Sequence, residues 1–358
     1  MSRHIFAAMS GGVDSSVVAH LLLRAGYDVT GATMTLYRPD EETGETQDVR
    51  DARAVCTALG IPHRVYDLGD AFCRAVIDDF VAVYEAGGTP NPCVVCNKHL
   101  KFGALLDAAL RDGADGIATG HFARVVRDPS GRYLLKKALD ESKDQSYVLW
   151  QLPQDILSHV LLPLGEMKKT DVRLLADGLE MVTAHKSDSQ DICFVPDGDY
   201  AAFIRRYTGR VPEAGDYVDE EGRVLGRHKG LIHYTVGQRK GLGISLGAPM
   251  FVGAKDPATN RVILTTNDRL FRRTVHLSDL NLIATDRLDA PTSAEVKIRY
   301  AHKASPATVI QTGEHTATVV FDEPQRAPAI GQSAVFYDGD TVIGGGIIVG
   351  DIVASDEM

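Results

Sequence analysis

A short apolar run over residues 4–9 gives way to Ser10-Gly11-Gly12-Val13-Asp14-Ser15-Ser16. A helical stripe of Val17, Val18, Leu21, Leu22 and Leu23 follows and stops at Gly26. The alternation then repeats. Residues 28–34 read as a strand, 48–59 as a helix punctuated by Gly60 and Pro62, and 63–67 as another strand. Phe72, Val76, Ile77, Phe80, Val81 and Tyr84 mark a helix, 102–110 a further one, and 116–119 a strand ending in Gly120-His121. Residues 122–127 and 133–137 pair as a hairpin across Asp128-Pro129-Ser130-Gly131, and 169–179 is helical. Strands alternating with helices predict a parallel, doubly wound sheet, with ligand bound beyond the C-terminal strand ends. That rule gathers the Ser10–Ser16 loop, Met34, Gly120 and His121 on one edge.

From about Gly209 helical periodicity fades and short glycine-punctuated runs take over. Residues 262–264, 317–321, 334–337 and 342–349 read as strands, with turn signals at Asp338-Gly339 and Gly344-Gly345-Gly346. This change of texture places one domain break near Arg206 and a second near Asn267. At 358 residues the chain is too long for one ordinary core, which agrees with two or three domains.

Composition narrows the class. The chain is 44% apolar and 24% charged, as in a globular protein, with no long apolar run for a signal peptide or membrane span, so a cytoplasmic location is expected. The net charge of −10 opposes nonspecific nucleic-acid binding unless cations are clustered. They are: Arg223, Arg227, Lys229, Arg239 and Lys240, with His228 and His233, form an acid-free basic stretch over 222–240, and Lys297, Arg299, His302 and Lys303 form a second cluster. Such patches are compatible with a polyanion partner, or with an ordinary solvated face.

Chemistry enters at two places. Residues 87–102, with Gly87, Gly88, Pro90 and Pro92 in their first half, read as a rigid loop that delivers Cys93 and Cys96. Cys-x-x-Cys alone suits half a zinc site, a redox pair or part of an iron–sulfur site. The five cysteines, at 56, 73, 93, 96 and 193, do not form a disulfide framework, and Cys56 and Cys73 fall on helical stripes as core residues. The other place is the N-terminal strand–glycine turn–helix, a geometry that receives phosphate. It lacks the Gly-Lys-Ser/Thr of a Walker loop, and resembles the pyrophosphate-binding loop of the PP-loop ATPases, which cleave ATP to AMP and pyrophosphate. Adenylation of a carbonyl oxygen then calls for a nucleophile. Cys96, Cys93 and Cys193 are the candidates, with Lys98, His99 and Lys101 at hand to favour a thiolate. Two cysteines from distant segments suggest a relay in which one carries a persulfide and the other resolves it as a disulfide.

Over essentially its whole length the chain resembles the tRNA-specific 2-thiouridylases of the MnmA/TrmU type. The resemblance rests on residues 9–16, on Thr89-Pro90-Asn91-Pro92 through Cys96-Asn97-Lys98, and on Ala118-Thr119-Gly120-His121. It continues through Lys143-Asp144-Gln145-Ser146-Tyr147, Ile192-Cys193-Phe194, residues 233–243 and residues 331–337. It implies an α/β, doubly wound parallel-sheet PP-loop ATPase domain over 1–206, a small central tRNA-binding domain over 207–267 and a C-terminal β-barrel-like domain over 268–358. The implied activity exchanges the C2 oxygen of the wobble uridine for sulfur in tRNAs for lysine, glutamate and glutamine. By position, Ala8, Met9, Ser10, Gly11, Gly12, Val13, Asp14, Ser15, Met34 and Gly120 would bind ATP, with Asp14 assisting Mg2+. Asn91, Pro92 and Cys93 would meet the target base, Cys96 would be the nucleophile, and Cys193 would receive the persulfide sulfur; the implied partners besides tRNA are a sulfur donor protein or sulfide. His121, Lys143, Asp144, Gln145, Arg299, Tyr300 and Gln332 match tRNA-contacting positions. His121 has an alternative as a structural hydrogen-bonder, Arg299 as part of a solvated face, and residues 143–145 as a capping loop.

One position departs from the pattern. Many members of the family carry aspartate where this chain has Cys93, so a carboxylate that could serve in acid–base chemistry is missing. Cys93, Cys96 and Cys193 instead make a set of three thiols, the ligand number with which related PP-loop thiolases hold a 4Fe-4S cluster. A persulfide relay and a cluster-dependent mechanism both remain open at this point. So do another AMP-forming PP-loop synthetase or ligase, and a non-catalytic tRNA-binding homologue.

Overall fold

The computed structural model describes residues 2–37, 45–186 and 192–350. Five parallel strands organise the N-terminal half, in the spatial order His63–Asp67, Asp28–Thr35, His4–Ala8, Gly116–Ala118 and Val160–Leu161. The helices Val13–Arg24, Gln47–Leu59 and Lys169–Gly178 bury Val17, Val18, Leu22, Val55 and Val172 against one face. Leu105, Leu106, Ala109 and Trp150 cover the other face. With both faces covered, a central strand must be apolar throughout, and Ile5, Phe6 and Ala7 are all fully buried. The strand order reverses between His4–Ala8 and Gly116–Ala118, so the crevice that receives ligand in this architecture opens between Ser10 and Gly120.

The segment expected to be a loop over 87–102 is one only as far as Asn91. Pro92 opens a helix that passes through Cys96, widens into a π-type stretch at Asn97–Leu105 and ends at Arg111. Proline in the first helical position needs no N–H partner and has the right fixed φ, so Pro92 starts the helix. Cys93 and Cys96 therefore stand on one face of a rigid element.

The helix Tyr200–Thr208, which contains Arg206, leads into a four-stranded sheet in the order Phe251–Asp256, Arg261–Thr265, Gly215–Val218, Val224–His228. Tyr217, Tyr234, Val252, Val262 and Leu264 form its core. The C-terminal part is a closed antiparallel barrel of six strands: Phe271–Leu282, Thr316–Arg326, Ser305–Gly313, Thr292–Lys297, Ser333–Asp338 and Thr341–Val349, the last pairing back with the first. The hairpin of Ala123–Arg127 and Tyr133–Lys137 extends the barrel sheet, Lys136 pairing with Thr341. Arg124 and Lys136 both reach Asp340, at 2.7 and 3.1 Å.

Gly344-Gly345-Gly346, expected as a turn, lies inside the last strand. A Cβ on Gly345 would stand 2.8 Å from the Trp150 ring. The glycines let the N-terminal domain's fully buried tryptophan press against the barrel, and Asn281 donates to the Trp150 carbonyl at 2.7 Å.

Candidate active site

The first strand ends at Ala8, and Met9 N–H donates to the Ala32 carbonyl at 2.8 Å. Gly11 follows with φ +70°, and a Cβ there would lie 2.6 Å from the Asp48 carbonyl, so the turn is built tightly against the neighbouring helix. Gly12 begins the helix Val13–Arg24 without a side-chain cap, which leaves the helix N-terminus aimed into the crevice. Ser15 Oγ accepts from Ser10 N–H at 3.2 Å and donates to the Gly12 carbonyl at 3.1 Å, locking the turn. Gly120 closes the opposite wall; a Cβ there would be 2.9 Å from Asp14 Cβ. Met34, near the end of its strand, packs partly buried between this region and the aromatic cluster beyond.

Lys169 is the residue here that sequence reasoning passed over. It opens its own helix, is almost wholly buried, and its ammonium meets both Asp14 oxygens, at 2.6 and 2.7 Å. The ammonium balances the Asp14 charge and uses one lone pair on each carboxylate oxygen, with the side chain still about a third exposed at 31%. The pair puts a cation beside the uncapped helix N-terminus, where a polyphosphate would lie. The sole hint in the sequence was a lysine at a helix start, too common a feature to single out.

The thiols form the second part of the site. Cys96 is buried, while Cys93 and Cys193 are exposed on their segments. Burial raises the Cys96 thiol above its ordinary range, Lys101 pulls it down, and the Cys93 charge raises it further. Cys193, exposed as a residue but with its thiol crowded by surrounding protein, is pushed up to about 11, by that loss of solvent first and then by the charges of Cys96 and Cys93. The three sulfurs therefore share one electrostatic neighbourhood, although 193 is remote in sequence from the other two. Lys101 opposes the rise at all three. Of the three cations following Cys96, it alone serves them: Lys98 and His99 are exposed, and His99 faces Asp79. Phe194 anchors the Cys193 segment, packing edge-on to Phe72 and Phe80 at 5.6 and 5.2 Å. Residues 187–191, the polar stretch preceding Cys193, lie outside the described residues. Among the described residues, no three His, Cys, Asp or Glu side chains are grouped to hold a metal ion.

Several positions expected to meet RNA are occupied within the protein. His121 is buried, bonds Thr119 Oγ1 at 2.7 Å, and is held neutral by burial and by Lys101. Asp144 accepts from Ala138 N–H at 3.0 Å and Ser146 N–H at 3.1 Å, and Gln145 Oε1 from Phe122 N–H at 2.9 Å. Arg299 donates to the carbonyls of Arg326 and Ala327. Gln332 donates to the carbonyls of Thr89 and Pro90 at 3.1 and 3.0 Å, just before the cysteine helix. Asn91 lies close enough to the hydroxyl of Tyr147 to act on it, and that hydroxyl donates to the Ser333 carbonyl at 2.9 Å. Tyr300 is 45% exposed, its ring 6.1 Å from that of Tyr147, and the Lys297 ammonium stands 5.4 and 5.7 Å from the two rings. This is an aromatic and cationic wall beside Cys93, whose charge Tyr300 feels.

The basic stretch over 222–240 is less basic than its composition implies. Arg223 pairs with Asp219 and Glu221 at 2.6 and 2.9 Å, and Arg227 with Asp216 at 2.8 Å. His228 is buried, and burial keeps both it and His233 below the usual histidine range. Arg239 and Lys240 remain exposed.

Family models match the chain in three consecutive pieces. They are a tRNA methyl transferase HUP domain over residues 3–197, a tRNA methyl transferase PRC-barrel domain over 201–266 and an aminomethyltransferase beta-barrel domain over 272–348. The tRNA-specific 2-thiouridylase MnmA of Clostridioides difficile (strain 630) is 47% identical over 355 residues, covering 97% of this chain and 98% of the relative. Its namesake from Carboxydothermus hydrogenoformans is 48% identical, with 97% of each chain covered. A third, from Acetivibrio thermocellus, is 46% identical, covering 97% and 99%. Among solved structures, a 4-thiouridine synthetase–RNA complex with bound ATP aligns over 55% of this chain and 46% of that one, at 17% identity and a TM-score of 0.34, too slight a likeness to add to these.

Proposed function

The chain belongs to the tRNA-specific 2-thiouridylase family, and on that premise we propose that it exchanges O2 of the wobble uridine for sulfur in tRNAs for lysine, glutamate and glutamine, in the cytoplasm. The observation that carries the chemistry is the shared neighbourhood of Cys96 and Cys193 beside a PP-loop crevice. Division of labour follows the domains: residues 1–206 adenylate and transfer sulfur, while 207–267 and 268–358 hold the RNA. Ala8 to Ser15, Met34 and Gly120 bind ATP, and the uncapped helix N-terminus and Lys169 meet its phosphates. Mg2+ accompanies the nucleotide through phosphate oxygens and water.

The anticodon base, drawn out of its stack, lies against Asn91, Pro92 and the Tyr300 ring, and Lys143 meets the backbone. His121, Asp144, Gln145, Arg299 and Gln332, engaged with protein partners, shape the surface that RNA meets. O2 of the uracil attacks the α-phosphorus of ATP and pyrophosphate leaves. Cys193 carries a sulfane sulfur received from a donor protein; its terminal sulfur attacks C2, and AMP departs with O2. The Cys96 thiolate then attacks the Cys193 sulfur, the S–S bond to the transferred atom breaks, and 2-thiouridine is released as Cys96 and Cys193 join in a disulfide. A thiol reductant restores the pair.

Cys93, one turn before Cys96 on the same helical face, favours a second reading in which three thiolates hold a 4Fe-4S cluster and sulfide is the donor. Among the described residues the donor groups are not gathered for a metal. The test is mass spectrometry of tRNA after incubation with the chain, ATP, Mg2+ and a persulfide donor. Thiolated uridine is expected, abolished in Cys96→Ala and in Cys193→Ala while tRNA-dependent pyrophosphate release persists. Pyrophosphate release driven by ammonia or an amino acid instead would point to a synthetase, and unmodified uridine with either sulfur source to an RNA-binding protein. Anaerobically purified protein with a thiolate–iron charge-transfer band lost in Cys93→Ala would establish the cluster reading.

A further inference from the structure

Lys255 lies on the strand Phe251–Asp256 of the central sheet, in a stretch, Lys255-Asp256-Pro257, that reads as an ordinary polar strand end. Its ammonium points away from solvent into a junction of three segments. It donates to the Gly88 carbonyl at 3.1 Å and to the Tyr234 carbonyl at 2.8 Å, and stands 5.8 Å from the centre of the Tyr84 ring. Burial holds the amine down to about 8, a penalty no surface lysine would bear. The approach is close: Gly87 has φ +79°, and a Cβ there would be 3.0 Å from Pro257 and 3.4 Å from Lys255 Cβ.

Two of these partners, Gly88 and Tyr84, lead to a sulfur, and the third, Tyr234, belongs to the central domain's own core. Gly88 is followed by Thr89, Pro90 and Asn91 and then by the helix bearing Cys93 and Cys96. From the barrel, Ile330 O accepts from Thr89 N–H at 2.7 Å, and Gln332 donates to the next two carbonyls, so the segment is held from both RNA-gripping domains. On the other side, Tyr84 stacks on Tyr200 at 6.2 Å and packs edge-on to Phe80 at 4.9 Å; Phe80 in turn holds Phe194, the neighbour of Cys193. One side chain of the central domain thus touches both supports on which the reacting thiols are mounted.

We propose that Lys255 is a positioning residue for sulfur transfer, tying the central domain to the Gly88 carbonyl and the Tyr84 ring so that seating RNA on that domain sets Cys96 and Cys193 at reacting distance. The proposal rests on the thiolation reading. Misplacing reacting groups by about 1 Å can slow a step on the order of a hundredfold without weakening binding, which is the signature of such a residue.

The test uses the full chain carrying Lys255→Met, which keeps the unbranched stem and removes the donors, with Lys255→Arg beside it. With tRNA, ATP, Mg2+ and a small-molecule persulfide, Lys255→Met should lower kcat for 2-thiouridine formation at least tenfold. The KM for tRNA and tRNA-dependent pyrophosphate release should stay within about threefold, and the melting temperature should show a folded protein. Lys255→Arg should recover part of kcat. A rise in KM with kcat unchanged would make Lys255 an RNA-gripping residue, and equal loss of pyrophosphate release and thiolation, or loss tracking the unfolded fraction, would make it merely structural; each overturns the proposal. Absence of thiolation in the unaltered chain would instead overturn the thiolation reading itself.

Discussion

At Cys96 two influences oppose each other. Burial raises the thiol, while the Lys101 ammonium, further along the same helix, lowers it, and burial wins. The reactive form is the thiolate, whose fraction grows tenfold per pH unit below the pKa, so at neutral pH most of Cys96 is protonated. Alkylation of Cys96 by iodoacetamide should therefore still be rising at pH 9, the ordinary thiol value. Cys193, pushed up to about 11, should rise later still. Lys101→Met removes the lowering influence, and should slow Cys96 alkylation at pH 8 by about threefold or more and move the profile to higher pH. An unchanged or faster rate would remove Lys101 from the site. The sequence offered Lys98, His99 and Lys101 as equals. Their order along a helix, and the direction in which each side chain leaves it, separates them.

At the scale of elements, two misreadings share a cause. Pro92 and Gly344-Gly345-Gly346 are residues that interrupt structure in the middle of an element, and both occur where that rule does not apply. Pro92 stands at a helix's first position, where nothing is interrupted. The glycines lie in a strand whose neighbour is another domain's tryptophan, and the absent side chains make room for it. Gly345→Ala should therefore destabilise the chain by about 1–3 kcal/mol through overpacking, seen as a lower melting temperature. An unaltered melting temperature would mean that Trp150 yields freely. The parallel strands, by contrast, were legible because burial on both faces leaves an apolar run that needs no knowledge of the neighbours.

For the whole molecule the question is how a chain of net charge −10 holds a polyanion. Cations already paired with carboxylates release few counterions on binding phosphate, while exposed unpaired ones release nearly one each. Arg223 and Arg227 are paired, whereas Arg239 and Lys240 make no ion pair with any described residue. Replacing Arg239 and Lys240 by serine should weaken tRNA binding and reduce the slope of log affinity against log salt by about one to two. Arg227→Ser should change that slope by much less. Equal effects would place the RNA elsewhere on the surface.

The residue order alone determined the two textures of the chain and the strand–glycine turn–helix that opens it, and it offered the three cysteines as candidates, because these depend on periodicity, on glycine at a tight turn and on nucleophile chemistry, all local properties. Only the tertiary structure decided which groups share a space: Lys169 with Asp14, the Cys193-flanking Phe194 with the cluster that holds Cys96, Lys255 with Gly88, and Trp150 with Gly345. Those pairings join residues far apart in the chain, and no local pattern encodes them. They follow from packing, which brings distant segments together by the apolar surface they bury and leaves their polar groups to find partners where they meet.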